Sequence, residues 1–311
     1  MSIRTLLVSA FGLLLGWAAC AAEVKLTAED FAKVERKGEV VTTGVPFARG
    51  ALKDVSNLCA KVGGEKIPAQ FVKTVPWKDG SVRWALMDTQ VDVPAGGKVE
   101  ITVSDEGAGP APASPVKVEK GEEEVKVSTG PLEFEVSRKS FNLFKSLKVD
   151  GKELLTGKGK GLVLVKAGGG EVLAGAPEKV DLEHAGPMKT ILVLKGKFPG
   201  THRDMLHYTV RITAYAGRKY LKVHTWLENA GKYGYTGRAE WLNFDGMRVD
   251  LGLGLGGEVT ASCEGVEAKG KLTVKQTCGG QHRFSELKFA VTGGGKELKS
   301  GARTDGVVAL S

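Results

Sequence analysis

The chain has 311 residues, 42% of them hydrophobic and 26% charged, which excludes a disordered or collagen-like protein. It contains 43 glycines but only 11 prolines, and the glycines separate short β-branched runs, a pattern of tight turns that argues against a helix bundle. The 44 basic and 36 acidic residues are interleaved, so the net charge of +8 forms no concentrated nucleic-acid footprint, and we expect no nucleic-acid partner.

Residues 1–22 have the pattern of a secretory signal peptide. Arg4 precedes an apolar run at residues 5–17, and small residues follow up to the expected cleavage after Ala21 or Ala22. The run is shorter than the ~20 residues that span a membrane, and no later segment is long and apolar enough to do so. The sequence therefore predicts a secreted or periplasmic protein that has no membrane partner after cleavage.

Residues 23–106 are predicted to form a first domain. Residues 27–30 resemble a helix capping box, and Phe31 and Val34 would give the short helix a one-sided apolar face. The helix would end at Gly38.

The rest of this domain has the alternation of β-strands. A strand is predicted at residues 81–93, with Val82, Trp84 and Leu86 on one face. An Asp-Gly pair directly before it is typical of a hairpin turn, and another strand is predicted at residues 99–103.

Residues 107–115 read GAGPAPASP and are predicted to be a linker, because they interrupt all regular structure. Residues 116–311 then form the second domain. Short alternating runs separated by turn residues predict an antiparallel β-sandwich or barrel, so the fold class is all-β. The strand candidates here are residues 116–127, 131–136, 162–165, 190–194, 206–215, 220–227, 259–262 and 287–291.

Three cysteines would remain after signal cleavage. Cys263 and Cys278 could form a disulfide that closes a loop of about 15 residues, worth ~3 kcal/mol, or all three, with Cys59, could be buried thiols. Lipidation of Cys20 is disfavoured by the bulky Trp17 nearby. No spacing typical of a metal site occurs, so no metal or cofactor is predicted, and a need for calcium cannot be determined from the sequence.

A glycine motif at residues 252–257 has the spacing G-x-G-x-x-G of dinucleotide-binding loops. Such a loop must open a helix whose N-terminus holds the pyrophosphate. The residues that follow are a short β-branched run, so we reject a nucleotide cofactor.

The most informative stretch is a hairpin between residues 201 and 229. A turn at Gly217 and Arg218 would pair positions so that Arg211 lies opposite His224, and His207 opposite Glu228. Opposite side chains lie ~5 Å apart. One sheet face would therefore gather seven candidate substrate-binding residues: His207, Arg211, Tyr215, Tyr220, Lys222, His224 and Trp226.

This set has the chemistry to bind an acidic polysaccharide. Aromatic rings stack on sugar faces, arginine can take a carboxylate in bidentate geometry, and histidine or tyrosine can move a proton. The alternative is the ordinary solvated face of an antiparallel sheet, where polar residues are expected in any case.

Several strings resemble a known family. Residues 44–50 (GVPFARG), 67–70 (IPAQ) and 77–88 (WKDGSVRWALMD) are similar to the first domain of PcRGLX/YetA-like proteins, which are exo-rhamnogalacturonan lyases and their relatives. Residues 130–132, 211–217 and 224–225 resemble phrases of the family's second domain. The resemblance implies a RIFT-type β-barrel followed by a central β-sandwich.

Such proteins continue into a C-terminal α/α toroid, and the resemblance places much of the catalytic machinery there. We therefore expect the non-catalytic N-terminal portion of a secreted lyase that cleaves pectin-type uronate polysaccharides by β-elimination when complete, with the sandwich truncated at its C-terminal end. The alternative is a stand-alone secreted carbohydrate-binding module without activity. No catalytic residue is assigned, and whether this chain is an enzyme stays undetermined.

Overall fold

The computed structural model describes residues 23–201, 204–231, 244–254, 260–263, 266–269, 272–278, 287–293, 295–302 and 308–310. The predicted signal peptide lies outside these ranges. Across the described residues the backbone forms strands and turns with no α-helix, and hence no helix that could cross a membrane. The predicted all-β class is confirmed.

Two sheets form the first domain. One has the strand order β1-β7-β3-β4 and the other the order β2-β6-β5, and all pairings are antiparallel. Between them lies an apolar core built around fully buried residues such as Val45, Met87 and Ile101. The strands are β1 (Val24–Glu29), β2 (Arg36–Pro46), β3 (Cys59–Val62), β4 (Glu65–Ile67), β5 (Ala69–Pro76), β6 (Val82–Val93) and β7 (Lys98–Ser104).

The possible helix that would begin at residues 27–30 and end at Gly38 is not formed, because β1 runs through Glu29 and a loop follows. The buried carboxylate of Asp30 accepts hydrogen bonds from the backbone N–H groups of Ala32 (3.2 Å) and Val34 (2.9 Å). Such side-chain bonds offer the backbone an alternative to the helix. Phe31 is 84% exposed and Val34 is also exposed, so the expected apolar face is not buried against the core.

The hairpin predicted before residue 81 is present as β5 and β6, but the expected face of β6 is wrong. The pairing shifts at a bulge where Val75 lies opposite Trp84 and Pro76 opposite Val82. A bulge inserts one residue and reverses the side on which later side chains point. Val82 is therefore buried, whereas Trp84 is 40% exposed.

The second domain contains three sheets around one core, with the orders β12-β11-β10-β9-β8, β15-β16-β17-β18 and β14-β13-β19. Their strands are β8 (Lys117–Lys120), β9 (Glu124–Ser128), β10 (Leu132–Ser137), β11 (Ser146–Val149), β12 (Lys152–Glu153), β13 (Gly161–Lys166), β14 (Glu171–Leu173), β15 (Lys179–His184), β16 (Lys189–Lys197), β17 (Leu206–Tyr215), β18 (Leu221–Asn229) and β19 (Phe244–Asp250).

Strand β17 shows why this domain folds as it does. Leu206, Tyr208, Val210 and Ile212 alternate along it and are all buried in the core. Their alternation has the period of two that a sheet with one covered face requires. The Tyr208 hydroxyl, buried with the ring, donates a hydrogen bond to the Gly175 carbonyl oxygen at 2.8 Å.

Two further three-stranded sheets, β21-β20-β25 and β22-β23-β24, are described toward the C-terminus. Their strands are β20 (Thr260–Cys263), β21 (Val266–Lys269), β22 (Leu272–Cys278), β23 (Leu287–Gly293), β24 (Lys296–Gly301) and β25 (Val308–Leu310). The side chains of Cys263 and Cys278 lie outside the described residues, so their predicted disulfide stays a prediction. Cys59 is a buried free thiol.

A buried polar network joins the two domains. The Asp88 carboxylate on β6 is 2% exposed and accepts a hydrogen bond from the Lys189 ammonium on β16, at 2.5 Å. The Nε2 atom of His184 lies 3.0 Å from the other oxygen of Asp88. Thr42 and Gln70 complete this junction network, since Thr42 donates to Asp88 and Gln70 accepts from the backbone of Lys189.

The protonation of Asp88 depends on these partners. Burial opposes its ionisation, but the contact with His184 and the hydrogen bonds from Lys189 and Thr42 outweigh that effect and hold the pKa of the Asp88 carboxyl below its usual range. The carboxylate is therefore ionised at neutral pH, and it forms an ion pair across the domain junction.

A second contact lies beside the hairpin turn between β17 and β18. The Gln90 amide donates to the Ala216 carbonyl oxygen at 2.8 Å, and Arg218 donates to the Gln90 side-chain oxygen at 3.0 Å. Gly217 adopts a φ of 65° in this turn, a conformation that a residue with a Cβ rarely adopts. The barrel therefore holds both the start of β16 and the end of β17.

Lys189→Met should destabilise the protein by about 3 kcal/mol, because it leaves the Asp88 carboxylate buried without its cation. Urea unfolding measures the loss. Lys25→Met is the matched control, since it breaks the exposed Lys25–Glu100 pair of 3.0 Å and should cost less than about 1 kcal/mol. Equal losses in the two variants would contradict a structural role for the junction network.

The lowered pKa of Asp88 also predicts a pH dependence. Its stabilisation should be complete above the unfolded pKa of about 3.9 and be lost as the pH falls through the lower folded value. Asp88→Asn removes this titration, so the difference in unfolding free energy between wild type and variant should shrink below about pH 4. A difference that is constant with pH would show that folding does not lower the pKa of Asp88.

Candidate functional site

The sheet β15-β16-β17-β18 has one face in the core and one outer face. The inner face carries buried apolar residues such as Val210, Ile212 and Leu194. The outer face carries the alternate residues, which include all the site residues predicted on β17 and β18. The barrel covers one end of the outer face, because Lys189, which is held by Asp88, lies opposite Tyr215.

The predicted register of the β17–β18 hairpin is confirmed. Arg211 lies opposite His224, and His207 opposite Glu228. The register follows from the turn and from the apolar alternation, since a shift of one residue would move every core side chain to the solvent face.

Arg211 occupies the centre of the outer face and is tied to two neighbours. Its Nε and Nη2 atoms donate to the two carboxylate oxygens of Glu183 on β15, at 2.6 and 2.9 Å. Its guanidinium carbon lies 4.7 Å from the centroid of the Trp226 ring, in a cation–π contact. Arginine does take a carboxylate here, as its chemistry predicts, but that carboxylate belongs to the same chain.

The Arg211 ion pair changes the charge of the site. Its hydrogen bonds lower the pKa of the Glu183 carboxyl, with a smaller contribution from the charge of Lys195. Glu183 is therefore ionised and compensates the charge of Arg211. The His224 and Trp226 rings meet edge to face with their centroids 5.4 Å apart.

Trp226 is both held by neighbouring side chains and open to solvent. It is 46% exposed, although it contacts both Arg211 and His224. An aromatic ring that is fixed by its neighbours and still open to solvent loses little conformational entropy when a ligand stacks on it.

Tyr215 and Tyr220 form a second aromatic pair at the end of the outer face near the barrel. Their ring centroids are 5.8 Å apart. Burial raises the pKa of both phenols, so both stay protonated at neutral pH. They are hydrogen-bond donors there rather than proton acceptors.

The remaining predicted residues complete a row along the sheet. Lys222 and His224 are exposed, and His207 is half-buried at the far end. The row from His207 to Tyr215 spans about 27 Å, at ~3.4 Å per residue. We call this row the outer-face platform; its members are His207, Arg211, Tyr215, Tyr220, Lys222, His224 and Trp226.

Glu183, which the sequence did not indicate as part of this site, is the residue that fixes Arg211. It lies on β15, whose residues 179–184 alternate charged and apolar side chains and could have been recognised as a strand. The pairing of β15 with β16 shifts at a bulge between Leu182 and His184, and Glu183 is the extra residue. Its contact with Arg211 crosses one intervening strand, β16, which no local pattern indicates.

A metal site is not apparent in the described part of the chain. There, no three His, Cys, Asp or Glu side chains cluster closely enough to hold an ion. The glycine motif at residues 252–257 is only partly described.

Comparison with protein families identifies both domains. Residues 17–104 match the PcRGLX-like N-terminal RIFT barrel domain, and residues 116–232 match the PcRGLX-like central β-sandwich domain. The chain belongs to the PcRGLX-like family. No curated protein matches it.

The two matches cover strands β1–β18. The barrel sheets β1–β7 lie in the N-terminal RIFT barrel, and the outer-face platform lies wholly within the central sandwich of this PcRGLX-like protein. The family resemblance and the domain order predicted from the sequence are confirmed.

A double-mutant cycle tests whether Arg211 holds Trp226. Arg211→Gln and Trp226→Leu should show a coupling energy of about 0.5–1 kcal/mol in urea unfolding, because each removes one partner of the cation–π contact. Combining Arg211→Gln with Trp84→Leu, which changes a tryptophan of the barrel, should give no coupling. Equal coupling in both cycles would contradict the contact.

Proposed function

We propose that this PcRGLX-like chain is the non-catalytic N-terminal portion of a secreted or periplasmic polysaccharide lyase, and that it binds acidic, pectin-type polysaccharide on the outer-face platform. The family connects the chain to rhamnogalacturonan lyases, and its two matched domains are described as N-terminal and central. The proposal includes secretion through the signal peptide at residues 1–22.

The observation that carries the proposal is the arrangement around Trp226. A half-exposed indole lies on an arginine that is itself fixed by a bidentate carboxylate. Aromatic faces pack well against the C–H faces of sugars, and the aromatic ring contributes a large contact area. The second aromatic pair, Tyr215 and Tyr220, offers another contact further along the same face.

Charge supports an acidic ligand. The chain has a net charge of +8, and Lys222 projects from the platform without an ion pair among the described residues. A positive surface raises the local concentration of a polyanion and the rate at which it associates. A neutral polymer would gain none of this attraction.

The platform itself is assigned no catalytic role. Its tyrosines are protonated at neutral pH, and Arg211 is already compensated by Glu183. β-Elimination needs a base for the proton α to the carboxylate, a group that neutralises that carboxylate, and an acid for the leaving oxygen. We therefore propose that this chain binds the polymer and that catalysis needs further protein.

A stand-alone carbohydrate-binding module is the second candidate, because the same platform would serve it equally well. The two candidates differ in what the gene encodes after the codon for Ser311. Sequencing that DNA separates them: a continuous reading frame for a helical domain supports the lyase, and an immediate stop codon supports the binding module.

Affinity electrophoresis in gels that contain rhamnogalacturonan tests polymer binding. Trp226→Ala should weaken retention by about fivefold, which corresponds to ~1 kcal/mol of aromatic contact. Trp84→Ala is the matched control, since Trp84 is similarly exposed, at 40%, but lies on the barrel. Unchanged retention of Trp226→Ala, or equal losses in both variants, would leave the platform an ordinary solvated sheet face.

Activity is tested on the same chain and polymer. We expect no increase in the ultraviolet absorbance of unsaturated uronate when the chain is incubated with rhamnogalacturonan. Sustained turnover would overturn the non-catalytic assignment, whereas retention without turnover supports it.

A further inference from the structure

A charged cleft lies beside the platform, along the edge strand β15. It has a volume of about 450 Å³, within the range of small-ligand sites. Strands β15 and β16 form one side, and the segment around β8 to β10 forms the other. Its charged lining residues are Lys120, Arg138, Asp181, Glu183, Lys195 and Arg211.

Arg138 is held in this cleft by neutral partners. Its Nε atom donates to the Gly121 carbonyl oxygen at 3.2 Å, and its Nη1 atom donates to the Val180 carbonyl oxygen at 3.3 Å. Both acceptors are backbone groups, and Arg138 forms no ion pair within the described residues. The guanidinium is therefore fixed in position while its positive charge stays uncompensated.

The two carboxylates of the cleft are already paired. Asp181 binds the Lys179 ammonium at 2.6 Å, and Glu183 binds Arg211. Lys120 and Lys195 form no ion pair in the part of the chain that the structure describes. Among the described residues, three cations of the cleft thus form no ion pair, and one of them, Arg138, is preorganised.

We infer that this cleft binds the carboxylate of an acidic sugar, with Arg138, Lys120 and Lys195 as its cationic partners. Arginine and lysine donate charge-assisted hydrogen bonds to oxyanions, and a fixed guanidinium loses little entropy in doing so. The binding of an anion follows from the cleft alone; naming a hexuronate as its source rests on the proposed function.

Arg211 connects the cleft to the platform. Its side chain lines the cleft, and its guanidinium also lies under the Trp226 ring. A uronate whose carboxylate sits in the cleft therefore lies next to the aromatic surface on which a neighbouring sugar would stack. The cleft selects sugars that carry a carboxylate, and the platform provides the aromatic contact area for the neighbouring sugar.

Titration of the full chain with galacturonate, followed by backbone NMR shifts, tests the cleft. Wild type should show saturable shifts at residues of β15 and β16, and Lys120→Gln/Lys195→Gln should bind about tenfold more weakly, the equivalent of one charge-assisted hydrogen bond. Lys98→Gln/Lys158→Gln is the matched control, because it removes the same charge from two exposed lysines elsewhere. The control should bind as wild type does.

Galactose and inorganic phosphate are titrated in parallel. Galactose should bind at least tenfold more weakly than galacturonate, since it lacks the carboxylate. Phosphate that binds while galacturonate does not would overturn the uronate assignment, and equal weakening in both lysine double variants would overturn the cleft as a site.

The cleft and the platform can fail separately. Absence of galacturonate binding by wild type, with normal polymer retention, would overturn the cleft and leave the proposed function standing.

Discussion

The ion pair between Asp88 and Lys189 is the constraint on which the arrangement of this protein depends. Both side chains are buried, so neither charge is tolerated there without the other. Asp88 belongs to the central strand of a barrel sheet, whereas Lys189 begins a strand of the sandwich. Pairing them holds the barrel over one end of the outer sheet face and leaves the rest of that face open to solvent.

Within the sandwich, compensation of charge decides which groups are available to a ligand. Arg211 is the residue that simple chemistry would choose for a substrate carboxylate, but Glu183 already occupies it. The pair serves instead to support Trp226. Arg138, in contrast, is bound by two neutral carbonyl groups, and its charge remains available in the neighbouring cleft. The arginine at the centre of the platform is therefore paired with a carboxylate, whereas the arginine in the cleft is bound only by backbone carbonyl groups.

Local patterns predicted some elements to the residue and failed at others for identifiable reasons. Strand β17 was predicted as residues 206–215, because its apolar alternation is regular and a glycine turn follows. The possible helix between residues 27 and 38 is not formed, because the Asp30 side chain accepts hydrogen bonds from the loop backbone. The face of β6 was wrong after Val82, since a bulge opposite Val75 reverses the alternation, and bulges have no clear sequence signal.

The sequence by itself determined the all-β class, the order of barrel and sandwich, the family and the register of the β17–β18 hairpin, because these follow from alternation, turn chemistry and characteristic strings over short distances. Only the tertiary structure decided that Glu183 binds Arg211, that Asp88 binds Lys189 and that Arg138 has no carboxylate partner among the described residues. Each of these depends on contacts between strands that are distant in the chain. The partner of a charged side chain is set by which strands the fold brings together, and short-range sequence patterns do not report that.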